Sequence, residues 1–216
     1  MIQRKQRRDV ASDFTAGECE AVYLLHGFAG KPLLMHRLAR FLQSRNYVVR
    51  NWGYPSTRRT IGDHAIALRD EVDRVIEQGE FHRVHFVTHS MGSIIVRHAF
   101  RKDQPPIIGR IVMLAPPNGG SHFARLGAVV LGRLCPVLRE LSTTPDSHVN
   151  RLGVVSCLEV GIIAASNDWV VRRRNTHLPT QRDHIVVLGD HVRLPLLRAS
   201  AEQTLHFLAT GTFCHT

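Results

Sequence analysis

Val84-His85-Phe86-Val87-Thr88-His89-Ser90-Met91-Gly92 holds the most informative junction in the chain. Residues 84–88 form an apolar run of strand length, and residues 93–101 behind it carry the spacing of a helix. A strand that enters a tight turn and leaves at once as a helix throws the central side chain, here Ser90, out beyond the end of the strand. Such a turn is crowded and wants small residues around it; Gly92 suits it and Thr88 is bulky for it. Read by itself, Ser90 fits two roles: a reactive hydroxyl presented at a sheet edge, or an oxygen capping the helix that follows.

The pattern repeats on either side. Upstream, the apolar run 21–25 ends at His26-Gly27-Phe28, and residues 32–44 place Leu33, Leu34, Leu38, Phe41 and Leu42 at helical spacing. Residues 47–50 are strand-like, and 63–78 again read as a helix, stopped by Gly79. Downstream, 111–114 is a strand closed by Pro116-Pro117, runs 160–165 and 185–188 are two more, and 196–208 is a final helix. Strands alternating with helices predict an α/β fold: about six mainly parallel strands with helices on both faces, one domain over residues 1–216. Residues 121–156 break the rhythm and are expected to form a small cap. Residues 1–19 are expected to form a basic N-terminal arm. Ligands of open α/β sheets bind beyond the carboxyl ends of the strands, so the residues just after each strand are the candidates for chemistry.

Composition narrows the function classes. Of 216 residues, 44% are hydrophobic and 21% charged, as in an ordinary globular protein. No apolar run reaches the roughly 18 residues of a membrane span, and the basic start is not followed by the apolar stretch of a secretory signal. The expected location is therefore cytoplasmic. The net charge of +10 is compatible with an anionic membrane surface or an acidic partner. No aromatic residues interleave with the basic clusters, which argues against specific nucleic-acid binding. Cys19, Cys135, Cys157 and Cys214 are far apart and read as free thiols, with one disulfide as the alternative. The 14 histidines are dispersed and no His-Glu-x-x-His occurs, so no metal site is expected.

Thr88-His89-Ser90-Met91-Gly92 resembles the G-x-S-x-G nucleophile turn of α/β-hydrolases, with Thr88 in place of the first Gly. His26-Gly27-Phe28 is similar to the segment that supplies an oxyanion-hole N–H in that family. Together they make nearly the whole chain look like a compact member of the lipase/esterase branch, lacking the first two strands of larger members. The resemblance implies Ser90 as nucleophile, the Phe28 and Met91 N–H groups as oxyanion donors, and His26 as a structural residue. It also implies the chain order Ser, acid, His. Asp168, just past run 160–165 and followed by Trp169-Val170-Val171, resembles the family's acid loop. Its rivals are Asp190, which adjoins the candidate base in sequence, and Asp183, at the wrong end of the last strand. His191 lies at the carboxyl end of run 185–188 and is the candidate base; His184 lies at the amino end. Pro117-Asn118-Gly119-Gly120-Ser121 resembles a loop beside the acyl site, which implies substrate contacts from Asn118 and Gly119; a plain Pro/Gly turn is the alternative.

The activity so implied is cleavage of a carboxylic ester, of a small molecule or a lipid, through an acyl-enzyme and without a cofactor. Thioester hydrolysis or acyl transfer on the same triad is one alternative. A non-catalytic binding protein of the same fold is another. The cap is rich in Leu and Val, including Leu126, Val129, Val130, Leu131, Leu134, Val137 and Leu138. That composition suits an acyl chain, a lipid surface or simple packing on the core.

Overall fold

The computed structural model describes residues 19–153 and 158–215. Most of the basic arm, the last residues of the expected cap and Cys157 lie outside them. Six strands, β1 (Glu20–Leu25), β2 (Val48–Trp52), β3 (Arg83–His89), β4 (Ile108–Leu114), β5 (Val160–Ala165) and β6 (Asp183–Val187), form one sheet in the order β2-β1-β3-β4-β5-β6. Every neighbouring pair is parallel.

Parallel strands need crossovers, and helices provide them. The principal helices are α1 (His36–Gln43), α2 (Ile61–Gln78) and α3 (Met91–Ala99), followed by α4 (His122–Leu131), α5 (Pro136–Glu140), α6 (His148–Arg151) and α7 (Arg198–Thr210). The period-two alternation of the strands assigns the faces. Tyr23, Leu25, Phe86 and Met113 pack under Ile61, Leu68 and Val72 of α2 and Ile94 of α3. Val22, Leu24, Val87 and Val112 pack under Leu38 and Leu42 of α1 and Phe207 and Leu208 of α7. Helix α2 begins two residues earlier than its apolar pattern shows. There Thr60 Oγ1 accepts from Asp63 N at 3.1 Å and Asp63 Oδ2 accepts from Thr60 N at 3.0 Å, a reciprocal cap.

The strand order reverses between β1 and β3: the chain leaves β1 to one side for β2, then returns through α2 to the other side for β3. At that switch, on the carboxyl edge, the turns 26–28 and 89–91 meet. Three residues other than glycine take positive φ in the loops at this edge, Ala29 at 52°, Ser90 at 50° and Ala115 at 46°. Such conformations cost about 1–3 kcal/mol each and persist where surrounding structure over-determines them. The described residues of the cap form the helices α4, α5 and α6, with one isolated parallel bridge between Ser121 and Ser142. Cys19, Cys135 and Cys214 are free thiols. No helix among the described residues is long and apolar enough to cross a membrane.

Candidate active site

Ser90 sits between β3 and α3 with φ 50° and ψ −119°, and its N–H donates to Leu114 O at 2.9 Å. The tightness of this turn comes from Gly92. A Cβ there would lie 2.8 Å from both Leu25 Cβ and Leu25 O, so only glycine lets α3 start directly against the end of β1. The bulk of Thr88 is absorbed without loss: its buried Oγ1 lies 2.8 Å from Ser93 Oγ, a hydrogen bond between the end of the strand and the first turn of the helix. Ser93, expected to open the helix, thus lies inside it.

His191 Nε2 lies 3.0 Å from Ser90 Oγ, and His191 Nδ1 lies 2.7 Å from Asp168 Oδ2. A carboxylate can only accept, so Nδ1 carries the ring proton and Nε2 presents a lone pair to the serine hydroxyl. Asp168 Oδ1 accepts the N–H groups of Val170 and Val171 at 2.9 and 2.7 Å, which fixes the carboxylate by both oxygens. Both side chains of the Asp168–His191 pair are almost wholly buried. The loops that follow β3, β5 and β6 thus bring together Ser90, Asp168 and His191.

The rivals fall elsewhere. Asp190 Oδ1 accepts from Val192 N and Arg193 N, capping its own loop. Asp183, at the amino end of β6, accepts from Phe213 N at 2.7 Å and meets His215. His184 hydrogen-bonds Thr176 Oγ1 at 3.0 Å and stacks on His177, and burial pushes its imidazole down to about 4.

The turn 26–28 faces Ser90 closely: a Cβ on Gly27 would lie 3.0 Å from Ser90 Cβ. Phe28 N–H has no protein acceptor among the described residues, and Met91 N–H opens α3, where helices leave their first N–H groups unpaired. His26 Nδ1 donates to Gly27 O at 2.9 Å, and its ring stacks on Tyr54 with centroids 4.3 Å apart. The Tyr54 hydroxyl donates to His26 O. Tyr54 is buried and its hydroxyl is held far above the ordinary tyrosine range by desolvation, so it remains a donor.

Two members of this arrangement escape a reading by strand ends: Tyr54, and His89, whose Nε2 donates to His191 O at 2.9 Å. Their local signals are weak but present. Tyr54 closely follows the end of β2, and His89 is the residue before the turn. Asn118 and Gly119, for which the loop resemblance implies substrate contacts, are held by neighbouring loops. Asn118 Oδ1 accepts from Arg97 Nη1 at 3.0 Å, its Nδ2 donates to Thr176 O at 2.7 Å, and Gly119 N–H donates to Asn175 O at 2.8 Å. The pair braces the neighbouring loops around a buried guanidinium, which desolvation lowers to about 10.

The chain belongs to the alpha/beta hydrolase family, whose sequence model matches residues 22–155. It is similar in fold to the mature lipase BlEst2 of Bacillus licheniformis, with a TM-score of 0.70 and 15% identity over 95% of this chain and 96% of that one. It is likewise similar to the esterase Pf2001 of Pyrococcus furiosus, with a TM-score of 0.62 and 16% identity over 90% of this chain and 84% of that one. Phospholipase PlaB of Legionella pneumophila, solved with thio-NAD, matches with a TM-score of 0.60 and 20% identity over 73% of this chain. The match spans 44% of the PlaB chain. No curated protein matches the chain.

Proposed function

We propose that this chain is a serine hydrolase that cleaves carboxylic esters through an acyl-enzyme on Ser90. The observation that carries the reading is the continuous relay Asp168–His191–Ser90, with links of 2.7 and 3.0 Å and one consistent tautomer. Ser90 Oγ attacks the ester carbonyl while His191 Nε2 takes its proton. Asp168 holds the imidazole in place and stabilises the imidazolium that forms. The tetrahedral oxyanion is received by the N–H groups of Phe28 and Met91; one such donor typically contributes about 10²–10³ in rate. His191 then returns the proton to the leaving alcohol. In the second half, it draws a proton from the water that attacks the acyl-enzyme and passes it to Ser90 Oγ as the acid leaves.

The test is labelling with a fluorescent fluorophosphonate beside turnover of p-nitrophenyl esters of rising chain length. Wild-type labelling that is lost in Ser90→Ala and strongly weakened in His191→Ala supports the reading. Absence of both labelling and turnover above the Ser90→Ala background overturns it and leaves a binding protein on a hydrolase fold.

A further inference from the structure

The cap resolves the ambiguity of its composition in an unexpected direction. Val137 and Leu138 of α5 are buried in the core, but of the residues of α4 only Ala124 is buried. Leu126, Val129 and Val130 of α4 are 71%, 84% and 80% exposed, and Leu134, in the turn after the helix, is 82% exposed. Single exposed apolar residues are ordinary, whereas a contiguous apolar face on one helix marks something that covers it. The face continues to the candidate site: Phe123 at the start of α4 meets Trp169 edge-to-face at 5.6 Å, and Trp169 is the residue after Asp168.

Charge names the occupant. Residues 121–139 contain three arginines and no Asp or Glu, and Arg172-Arg173-Arg174 follow Trp169 closely. Arg125, Arg172, Arg173 and Arg174 are exposed, and none is in an ion pair among the described residues. Arg125, Arg172 and Arg174 lie near the N-terminal end of α4, where desolvation and then the charges of Arg172, Arg174 and Arg125 hold His122 below its ordinary range. An apolar helix face rimmed by unpaired arginines, with a tryptophan at the boundary, matches a bilayer whose headgroups are anionic. A second copy of the chain is a poor fit, because a two-fold contact sets a patch against itself and would bring unpaired arginines together.

We infer that α4, with Trp169 and the arginines at its N-terminal end, docks the protein onto an anionic membrane surface. The apolar side chains of α4 enter the headgroup–acyl boundary, and the guanidinium groups meet lipid phosphates. Trp169 reaches the interface beside the candidate acid. That the membrane is also the source of the ester rests on the reading of Ser90 as nucleophile; the docking does not.

The experiment uses the Ser90→Ala chain, so that binding is read without hydrolysis. Flotation with phosphatidylcholine vesicles, with and without phosphatidylglycerol, measures partitioning, and quenching of tryptophan by brominated lipid reports insertion. The expected result is binding that needs phosphatidylglycerol, with quenching lost in Trp169→Phe, which leaves only Trp52. Val129→Glu with Val130→Glu should weaken partitioning by more than about 10-fold, and so should Arg172→Glu with Arg174→Glu. Both pairs are solvent-exposed, and unchanged circular dichroism confirms folding. Equal affinity for both vesicle types, no binding, indifference to either pair, or a concentration-dependent dimer that Val129→Glu abolishes would overturn the inference. Failure of ester turnover in the wild type would leave it untouched.

Discussion

The ring of His89 donates from Nε2 to the main-chain carbonyl of His191 at 2.9 Å, so the residue preceding the candidate nucleophile holds the backbone of the candidate base. The two rings lie 4.9 Å apart, and His89 Nδ1 faces Gly27. His89 therefore touches the loop of the candidate base and the turn 26–28 at once. His89→Leu removes the donor while keeping bulk. It should lower kcat about 5- to 10-fold with little change in KM, the size of one net hydrogen bond. His89→Gln, which keeps a donor, should recover part of the loss.

Burial first, and then the neighbouring His191, push the His89 imidazole down to about 3. Burial also lowers His26 and His64. In the unfolded chain these rings take up protons near pH 6.5, so between about 6.5 and about 3 the unfolded state binds more protons than the folded one. Stability contributed by these neutral rings is complete above about pH 6.5 and is lost as the pH falls through that window. Thermal melts from about pH 7.5 down to about pH 4.5 should show a falling midpoint, less steep in His89→Gln. A flat profile would contradict this account.

Tyr54 anchors the turn 26–28, the proposed oxyanion turn, through its hydroxyl and its ring. Tyr54→Phe keeps the stack on His26 but leaves a buried carbonyl without its donor, at about 1–3 kcal/mol. Urea denaturation should read that loss. Ester turnover should fall as well, because the segment that loosens carries the Phe28 N–H.

Gly92→Ala places a methyl group 2.8 Å from Leu25 and 2.9 Å from His26 O. Backbone atoms cannot step aside as a flexible side chain can. The substitution should destabilise the fold by about 1–3 kcal/mol and reduce fluorophosphonate labelling together with stability.

Asp168→Asn preserves an acceptor for Val170 N and Val171 N, so the loop should stand. The amide can present a donor to His191 Nδ1 and favours the tautomer that cannot accept from Ser90. kcat should fall on the order of 10⁴-fold with the melting temperature little changed. Loss of folding instead would show the carboxylate to be a structural charge.

The strands and the three central residues were readable because parallel strands are buried on both faces and appear as short apolar runs, each followed by a loop at one common edge. Asp168 and His191 needed that rule together with the chain order Ser, acid, His that the family resemblance implies. Strand starts were less legible. The amino ends of β4 and β6 carry Gly109-Arg110 and Asp183-His184, polar residues held by contacts such as Arg110 N to His85 Nδ1 at 2.8 Å. Leu188, expected within the last strand, lies beyond it and is exposed. Asn118 was legible as a loop residue and not as a brace, because its partner Arg97 reads as a surface residue of α3 until the cap is placed over it. The outward face of α4 was hidden for a related reason: an apolar helix pattern does not say which neighbour it faces.

Ser90 and His191 are 101 residues apart, and the strands between their loops, β4 and β5, pair only in parallel across intervening segments. Contacts of such long sequence separation form late and slowly in folding. Until β6 docks on β5, the Ser90 hydroxyl lacks its partner His191 Nε2 and is an ordinary alcohol. On the proposed chemistry, a chain still emerging from synthesis is therefore inert toward esters, and its reactivity certifies a finished sheet. An active-site titration would count completed molecules, and misfolded ones would be silent.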